Sequence, residues 1–193
     1  WYGETVRHQG AMEAEALWLM GVEPVWNSRG TVDSLRLVPD KDLGRPRVDV
    51  VFTVSGIYRD GFPDKILLLD RASRLAASAG DNPISRHTRA TAQALERAGV
   101  EHALAEEAAQ ARAFAAAPGE YGAGISKMIK QSKDAGIADA YLHHMGHAYS
   151  AGLWGKAVPK ALATHLAGNE AVVHSRSSNV YGVLDNDDFY DYA

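Results

Sequence analysis

The sequence predicts an α/β fold: a small mixed or parallel sheet with flanking helices and a helical C-terminal extension. Three observations carry that prediction. Val48-Asp49-Val50-Val51-Phe52-Thr53-Val54 is a short, nearly continuous β-branched run, the pattern of a strand buried on both faces. Ser55-Gly56 ends the run with small residues that let the chain turn sharply. The polar segment Tyr58-Arg59-Asp60-Gly61 follows, and Pro63 then opens a helix whose apolar face runs through Ile66, Leu67, Leu69 and Leu75, with Asp64 in its first turn. Strand, polar loop and helix make half of a βαβ unit. Ligands of open α/β sheets bind at the carboxyl ends of the strands, so Ser55 to Phe62 is the first place to look for function. Lastly, from about residue 81 onward the pattern is mostly helical. One α/β domain over residues 1–193 is expected, sheet-bearing over about 1–80 and mostly helical over about 81–193.

The elements follow in order. Ala11 to Met20 is rich in helix formers and stops at Gly21, a helix C-cap residue. Val22 to Trp26 and Thr31 to Val38 flank the turn residues Asn27-Ser28-Arg29-Gly30, which predicts a hairpin. Asp40 to Gly44 connects to the central strand. Gly80-Asp81-Asn82-Pro83 breaks the chain after the Pro63 helix. Further helices are expected from about Ser85 to Ala98 (stopping at Gly99), from Glu101 to Ala117, from Ile125 to Lys133, from Ile137 to Ser150 and from Val158 to Ala167. Ala171 to His174 reads as a short strand, and the acidic tail Asp185 to Asp191 as a turn or terminal helix.

Composition narrows the function classes. A net charge of -4 disfavours a nucleic-acid surface, which carries a basic excess. With no cysteine, disulfides, thiolate catalysis and Cys-ligated zinc or iron–sulfur sites are excluded. No apolar run is long enough to span a bilayer and no signal peptide opens the chain, so no membrane partner and a cytoplasmic location are expected. The loop Pro118-Gly119-Glu120-Tyr121-Gly122-Ala123-Gly124 precedes a helix and offers backbone N–H groups, but it is neither a Walker A motif nor a GxGxxG after a strand. No ATP-binding motif is visible.

A set of motifs spread over nearly the whole chain resembles the large subunit of cobalt and magnesium chelatases, the tetrapyrrole-binding partner in cobalamin and chlorophyll synthesis. They are GVEPVW (Gly21–Trp26), RPRVDVVFTVSGIYRDGFPDKILLLDRASRLAA (Arg45–Ala77), NPISRHT (Asn82–Thr88), PGEYGAG (Pro118–Gly124), DAYLHHMGHAY (Asp139–Tyr149) and LDNDDFYDY (Leu184–Tyr192). The resemblance leans towards the cobalt-type branch. It departs at Lys127 to Asp134, which is basic where the family commonly has an acidic, Trp-containing stretch. Those subunits are several times longer, and this chain does not begin with Met, so it is read as an internal piece, inactive alone. By resemblance the whole subunit binds the ring and the ion. Co2+ or Mg2+ is then the substrate ion, the fragment needs no cofactor of its own, and AAA+ ATPase partner subunits hydrolyse the ATP. The tetrapyrrole, those partners and the rest of the large subunit are the expected binding partners.

Several residues are candidates for that chemistry. Arg59 has the bidentate fork to anchor a ring carboxylate, with Ser55 and Asp60 beside it in the loop; the competing reading is an Arg59–Asp60 ion pair at a helix start. Arg86 and His87 open a helix after Asn82-Pro83. Inserting a divalent ion expels two pyrrole N–H protons, and a neutral imidazole at His87 is suited to accept them; a packed helix-start side chain is the plainer alternative. In the family reading Tyr121 lends a flat face to a macrocycle. The ring-handling reading requires Arg59 and His87 to share one cavity. His143, His144 and His147 are the most metal-like group, and His143 and His147 are four apart, which on one helix would place them on one face for Zn2+, Ni2+ or Co2+. No glutamate lies between them, and surface histidines or adventitious binding are favoured, so no metal site is assigned. The carboxylates Asp185, Asp187, Asp188 and Asp191 offer a hard-cation or partner surface. The alternative to catalysis is an α/β scaffold or docking module without ring contacts.

Overall fold

A computed structural model of the chain describes residues 2–122 and 136–173. The predicted helix over Ile125–Lys133, the basic stretch and the acidic tail lie outside the described residues.

The front is built as local chemistry dictates. Helix α1 (Tyr2–Arg7) precedes α2 (Ala11–Met20), which ends at Gly21. Strands β1 (Val22–Trp26) and β2 (Val32–Leu37) form an antiparallel two-stranded sheet. The buried Arg47 guanidinium donates to the carbonyls of Met20, Gly21 and Val38 and to Asp40, pinning the base of that hairpin to α2. The connector expected at Asp40 to Gly44 is a single helical turn, α3 (Asp40–Leu43).

The central strand is shorter than its sequence suggests. Only β3 (Phe52–Thr53) is strand; Val48 is 41% exposed, and its N–H bonds to the Leu19 carbonyl instead of to a strand. Nor is the segment after it a loop. Ser55 N-caps a short helix, α4 (Gly56–Gly61), its hydroxyl accepting from Tyr58 N–H at 3.2 Å. Pro63 then opens α5 (Pro63–Ala77) as its fixed φ favours. Helix α6 (Pro83–Arg97) starts at an Asn82 capping box closed by Ser85, and α7 (His102–Gln110) starts at Glu101, whose carboxylate accepts from Ala103 and Leu104 N–H.

The largest departure follows α7. The helix expected to reach Ala117 stops at Gln110, and Ala113–Ala115 is strand β4. Likewise α8 (Ile137–Met145) stops short of Ser150, giving way to β5 (His147–Tyr149), and β6 (Trp154–Ala157) precedes α9 (Pro159–Ala167). Residues 171–173, expected as strand, have no regular structure. The main sheet has order β3-β4-β5-β6, with β3 and β4 parallel and the other pairs antiparallel. It is thus a mixed sheet, and three of its four strands come from beyond residue 110, in the part expected to be helical.

Alternation along the strands sorts the core into two clusters, one on each face. Ala113, Ala115 and Tyr149 pack with Leu17, Met20, Ile66 and Leu69 of α2 and α5. Phe114, Ala116 and Ala148 pack with Leu95, Ala105, Met145 and Leu162 of α6 to α9. Both alanines of β4 are buried on the α2 and α5 side and Phe114 on the other. No helix among the described residues is long and apolar enough to cross a membrane.

Candidate functional site

The carboxyl ends of the parallel pair β3 and β4 meet where Gly56 and the loop 118–122 touch backbone to backbone. A Cβ on Gly56 would lie 2.2 Å from the Glu120 carbonyl oxygen and 2.8 Å from the Tyr121 Cα. Only glycine permits that approach. Gly56→Ala is therefore expected to push the loop away and to cost about 1–3 kcal/mol by overpacking. Chemical denaturation measures the cost; a variant as stable as the wild type would show that the loop is not wedged there.

Arg59 is the bolt of this junction. It is 1% exposed, and Nη1 donates to the carbonyls of Ala116, Ala117 and Glu120 at 3.0, 2.8 and 3.2 Å. Nε and Nη2 grip Asp60 bidentately at 2.7 and 2.9 Å. The fork expected to hold a ring carboxylate is thus occupied by Asp60 and backbone, the ion-pair reading weighed against it. The hydrogen bond from Arg59 holds the Asp60 carboxyl below its usual range, and that from Tyr121 lowers it further. The Arg59 guanidinium carbon also lies 5.8 Å from the Tyr121 ring centroid and 5.6 Å from that of Tyr149. Ser55 is buried and committed to capping α4.

Neighbours stiffen the same junction. Tyr149 donates from its hydroxyl to the Ala116 carbonyl at 2.6 Å, and Trp154 stands edge-on to it at 5.2 Å. Burial raises the Tyr149 pKa while Arg59 opposes the rise. His144 holds the far side of the loop, its Nε2–H donating to the Gly122 carbonyl at 2.5 Å. Beneath α4, the Tyr58 hydroxyl donates to Glu13 at 2.9 Å, and burial followed by the Glu13 charge keeps that phenol protonated. What the junction offers to a partner is its rim: the Asp60 carboxylate, Tyr121 and Trp154 (each 49% exposed) and exposed Ile57.

His87 lies elsewhere. It is exposed on α6, with Nδ1 3.2 Å from an Asp49 carboxylate oxygen. The same carboxylate takes Nε and Nη2 of Arg112 at 2.7 and 3.1 Å. Arg112 is 1% exposed and also donates to Thr88 Oγ1 and to the carbonyls of Ala109 and Ala111. Asp49 precedes β3 whereas Ser55 follows it, so six residues, roughly 20 Å of extended chain, separate the two clusters. Arg86 pairs with Asp81, which Arg89 also engages, and makes no link to His87. A cavity of about 300 Å³ opens beside this end, lined by Arg74, Ser85, Thr88, Arg89, Gln110 and Arg112 among others. Neither Arg59 nor His87 lines it. The structure brings Ser55, Arg59, Asp60 and Tyr121 together; it leaves Arg86 and His87 at the opposite end of the strand, and the shared cavity expected for Arg59 and His87 is not formed by the described residues.

Sequence reading missed Asp49, Arg112 and Tyr149, whose partners are distant in the chain, and took His144 only as one of a metal-like histidine group. It also placed His143 and His147 on one helix. The helix ends at Met145, so His143 is exposed on α8 while His147 belongs to β5, its Nδ1 against the His144 carbonyl.

Known proteins place the chain. The sequence profile of the CobN/Magnesium Chelatase family matches residues 1–193. The aerobic cobaltochelatase subunit CobN of Sinorhizobium sp is 39% identical over 100% of this chain and 16% of its own length. A magnesium-chelatase subunit of Chlorobaculum parvum is 33% identical over 98% of this chain and 15% of its own length. Among solved structures, the catalytic subunit of cobaltochelatase from Mycobacterium tuberculosis superposes with a TM-score of 0.69 at 32% identity, covering 79% of this chain and 13% of that one. The chain thus spans about one-sixth of the length of these curated relatives. It belongs to the CobN/magnesium chelatase family.

Proposed function

We propose that this chain is the part of a chelatase large subunit that presents a rigid rim to a tetrapyrrole receiving Co2+ or Mg2+, in a nitrogen–metal bond-forming reaction driven by ATP hydrolysis on AAA+ partner subunits. The observation that carries the reading is the bolted junction at the carboxyl ends of β3 and β4. Arg59 Nη1, donating to the carbonyls of Ala116, Ala117 and Glu120, fixes the loop 118–122 and its approach and leaves Asp60 and Tyr121 at the surface. Asp60 supplies charge toward ring amides or the incoming ion, and Tyr121 a flat apolar face. Arg59 acts through these two as a positioning residue. His87 keeps a separate assignment as proton acceptor: with Nδ1–H donating to Asp49, its Nε2 is the basic nitrogen. The one cavity that ring handling required of Arg59 and His87 is not formed by the described residues, so for a single ring the rim and the base are alternatives, each tested on its own.

A chelation assay with the full subunit and its ATPase partners tests both. Tyr121→Ala and Arg59→Ala are expected to raise the apparent KM for the ring, and His87→Gln to lower turnover by about a hundredfold. Wild-type kinetics for Tyr121→Ala and Arg59→Ala would overturn the rim, and wild-type turnover for His87→Gln would overturn the base. The distance between the two clusters favours a second reading, a non-catalytic scaffold that supports a site built elsewhere. Calorimetric titration of the isolated chain with a hydrogenobyrinic-type ring separates the readings: micromolar binding supports ring contact, and absence of heat supports the scaffold.

A further inference from the structure

We propose that Glu96, His102 and Glu106 form a surface site for a divalent transition-metal ion, taking Co2+, Ni2+ or Zn2+ in preference to Mg2+ or Ca2+. One ligand atom from each of the three lies within 4.8 Å of the others. His102 and Glu106 are four residues apart on α7 and share a face. Glu96 comes from the last turn of α6 and already meets the His102 ring through Nδ1. Two carboxylates alone would be an ordinary solvated pair. The imidazole makes the set one nitrogen and two oxygens, a donor set that suits first-row ions better than the all-oxygen preference of Mg2+ and Ca2+.

The backbone holds these ligands in place. Ala98 N–H bonds to the carbonyls of Ala94 and Leu95, and Val100 N–H closes the turn onto Leu95 at 3.0 Å. Gly99 turns the chain at φ +83°, where a side chain would be strained. Beneath, Leu95 of α6 and Ala105 and Ala108 of α7 are buried in one cluster, so the two helices keep their spacing. Ligand atoms around such an ion sit about 3–3.5 Å apart, which rotation of three exposed side chains reaches without moving the backbone. Glu101, also nearby, is committed to capping α7. The set is therefore three protein ligands, with water completing the shell, and two carboxylates match the charge of one divalent ion. The site lies nine residues from His87, about 13 Å along α6, and does not depend on the ring-handling reading.

Titration of the chain with Co2+, followed by its visible absorption bands and by equilibrium dialysis, tests the site. One equivalent is expected to bind well below millimolar concentration. His102→Ala should weaken it at least about tenfold, as should Glu96→Gln and Glu106→Gln, while His143→Ala leaves it unchanged. All three ligands are exposed, so the variants should keep the wild-type circular dichroism. No uptake by the wild type, or a His102→Ala variant that binds as the wild type does, would overturn the site; so would loss of binding in His143→Ala.

Discussion

Replacing Asp49 by Ala is expected to destabilise the fold by about 3–5 kcal/mol, the effect of stranding a buried charge. Arg112 is almost wholly buried, and Asp49 supplies its only described carboxylate, through two hydrogen bonds. Thr88 and two backbone carbonyls complete its contacts. The pair joins the approach to β3, helix α6 and the α7–β4 turn, so it holds together pieces whose sequence positions differ by as much as 63 residues. Without Asp49 the guanidinium must admit water or sit unpaired, and each route loosens the end of the sheet. Urea denaturation of wild type and variant measures the loss. The double variant Asp49→Ala/Arg112→Met identifies its cause. Replacing a buried ion pair with apolar side chains is often close to neutral, so the double variant is expected to recover most of the stability. If it is no more stable than Asp49→Ala, the unpaired charge is not what destabilises the single variant. If Asp49→Ala alone unfolds within about 1 kcal/mol of wild type, the pair is a surface-grade interaction.

This pair also shows where sequence reading runs out. The signals that located α2, the β1–β2 hairpin, α5 and α6 are local: Gly21 at a C-cap, turn residues Asn27 to Gly30, Pro63 at a helix start, Asn82 with Ser85. Strands β4 and β5 carry no such signal. Ala113 and Ala115 are strong helix formers, and the segment is nonetheless strand because its backbone pairs with β3 on one side and β5 on the other, with Ala113, Phe114 and Ala115 all buried. Tertiary context overrides the propensity there, and with it the expectation that the sheet ends near residue 80. The candidate site divides the same way. Arg59 and Asp60 were legible because they follow the one recognisable buried strand, and their mutual ion pair was one of the two roles that spacing allowed. That Arg59 spends Nη1 on carbonyls 57 to 61 residues away was not legible, since any loop carbonyl is anonymous in a sequence. The motifs SGIYRD and PGEYGAG meet in space because Gly56 and the Glu120–Tyr121 backbone press together. That contact explains the glycine, and the resemblance alone does not.

Acid sensitivity below pH 6.5 is expected to come largely from His165 on α9. Burial pushes this imidazole down to about 3, and Arg112 adds to the shift. The ring packs against Phe114 at 5.7 Å, and its Nε2 has no hydrogen-bond partner among the described residues. Above pH 6.5 the ring is neutral in folded and unfolded chains alike and contributes nothing to the pH dependence. Below that pH the unfolded chain binds a proton that the folded chain refuses until about pH 3, so the unfolded state holds more protons and stability falls as pH falls. Between pH 6.5 and pH 5 the loss amounts to about 2 kcal/mol, at 1.36 kcal/mol per pH unit. His165→Leu removes the titrating group while keeping an apolar side chain in the α9 face of the core. Whatever its stability at neutral pH, the variant should lose about 2 kcal/mol less than wild type between pH 7 and pH 5, as read from urea midpoints at each pH. Parallel pH profiles for the two proteins would mean that His165 is protonated, or reaches water, in the folded state. Asp49 and His87 also face the ring electrostatically, the first favouring its protonation and the second opposing it. The Asp49→Ala variant should therefore not flatten the profile, which distinguishes a buried neutral histidine from a general weakening of the ion-pair cluster beside it.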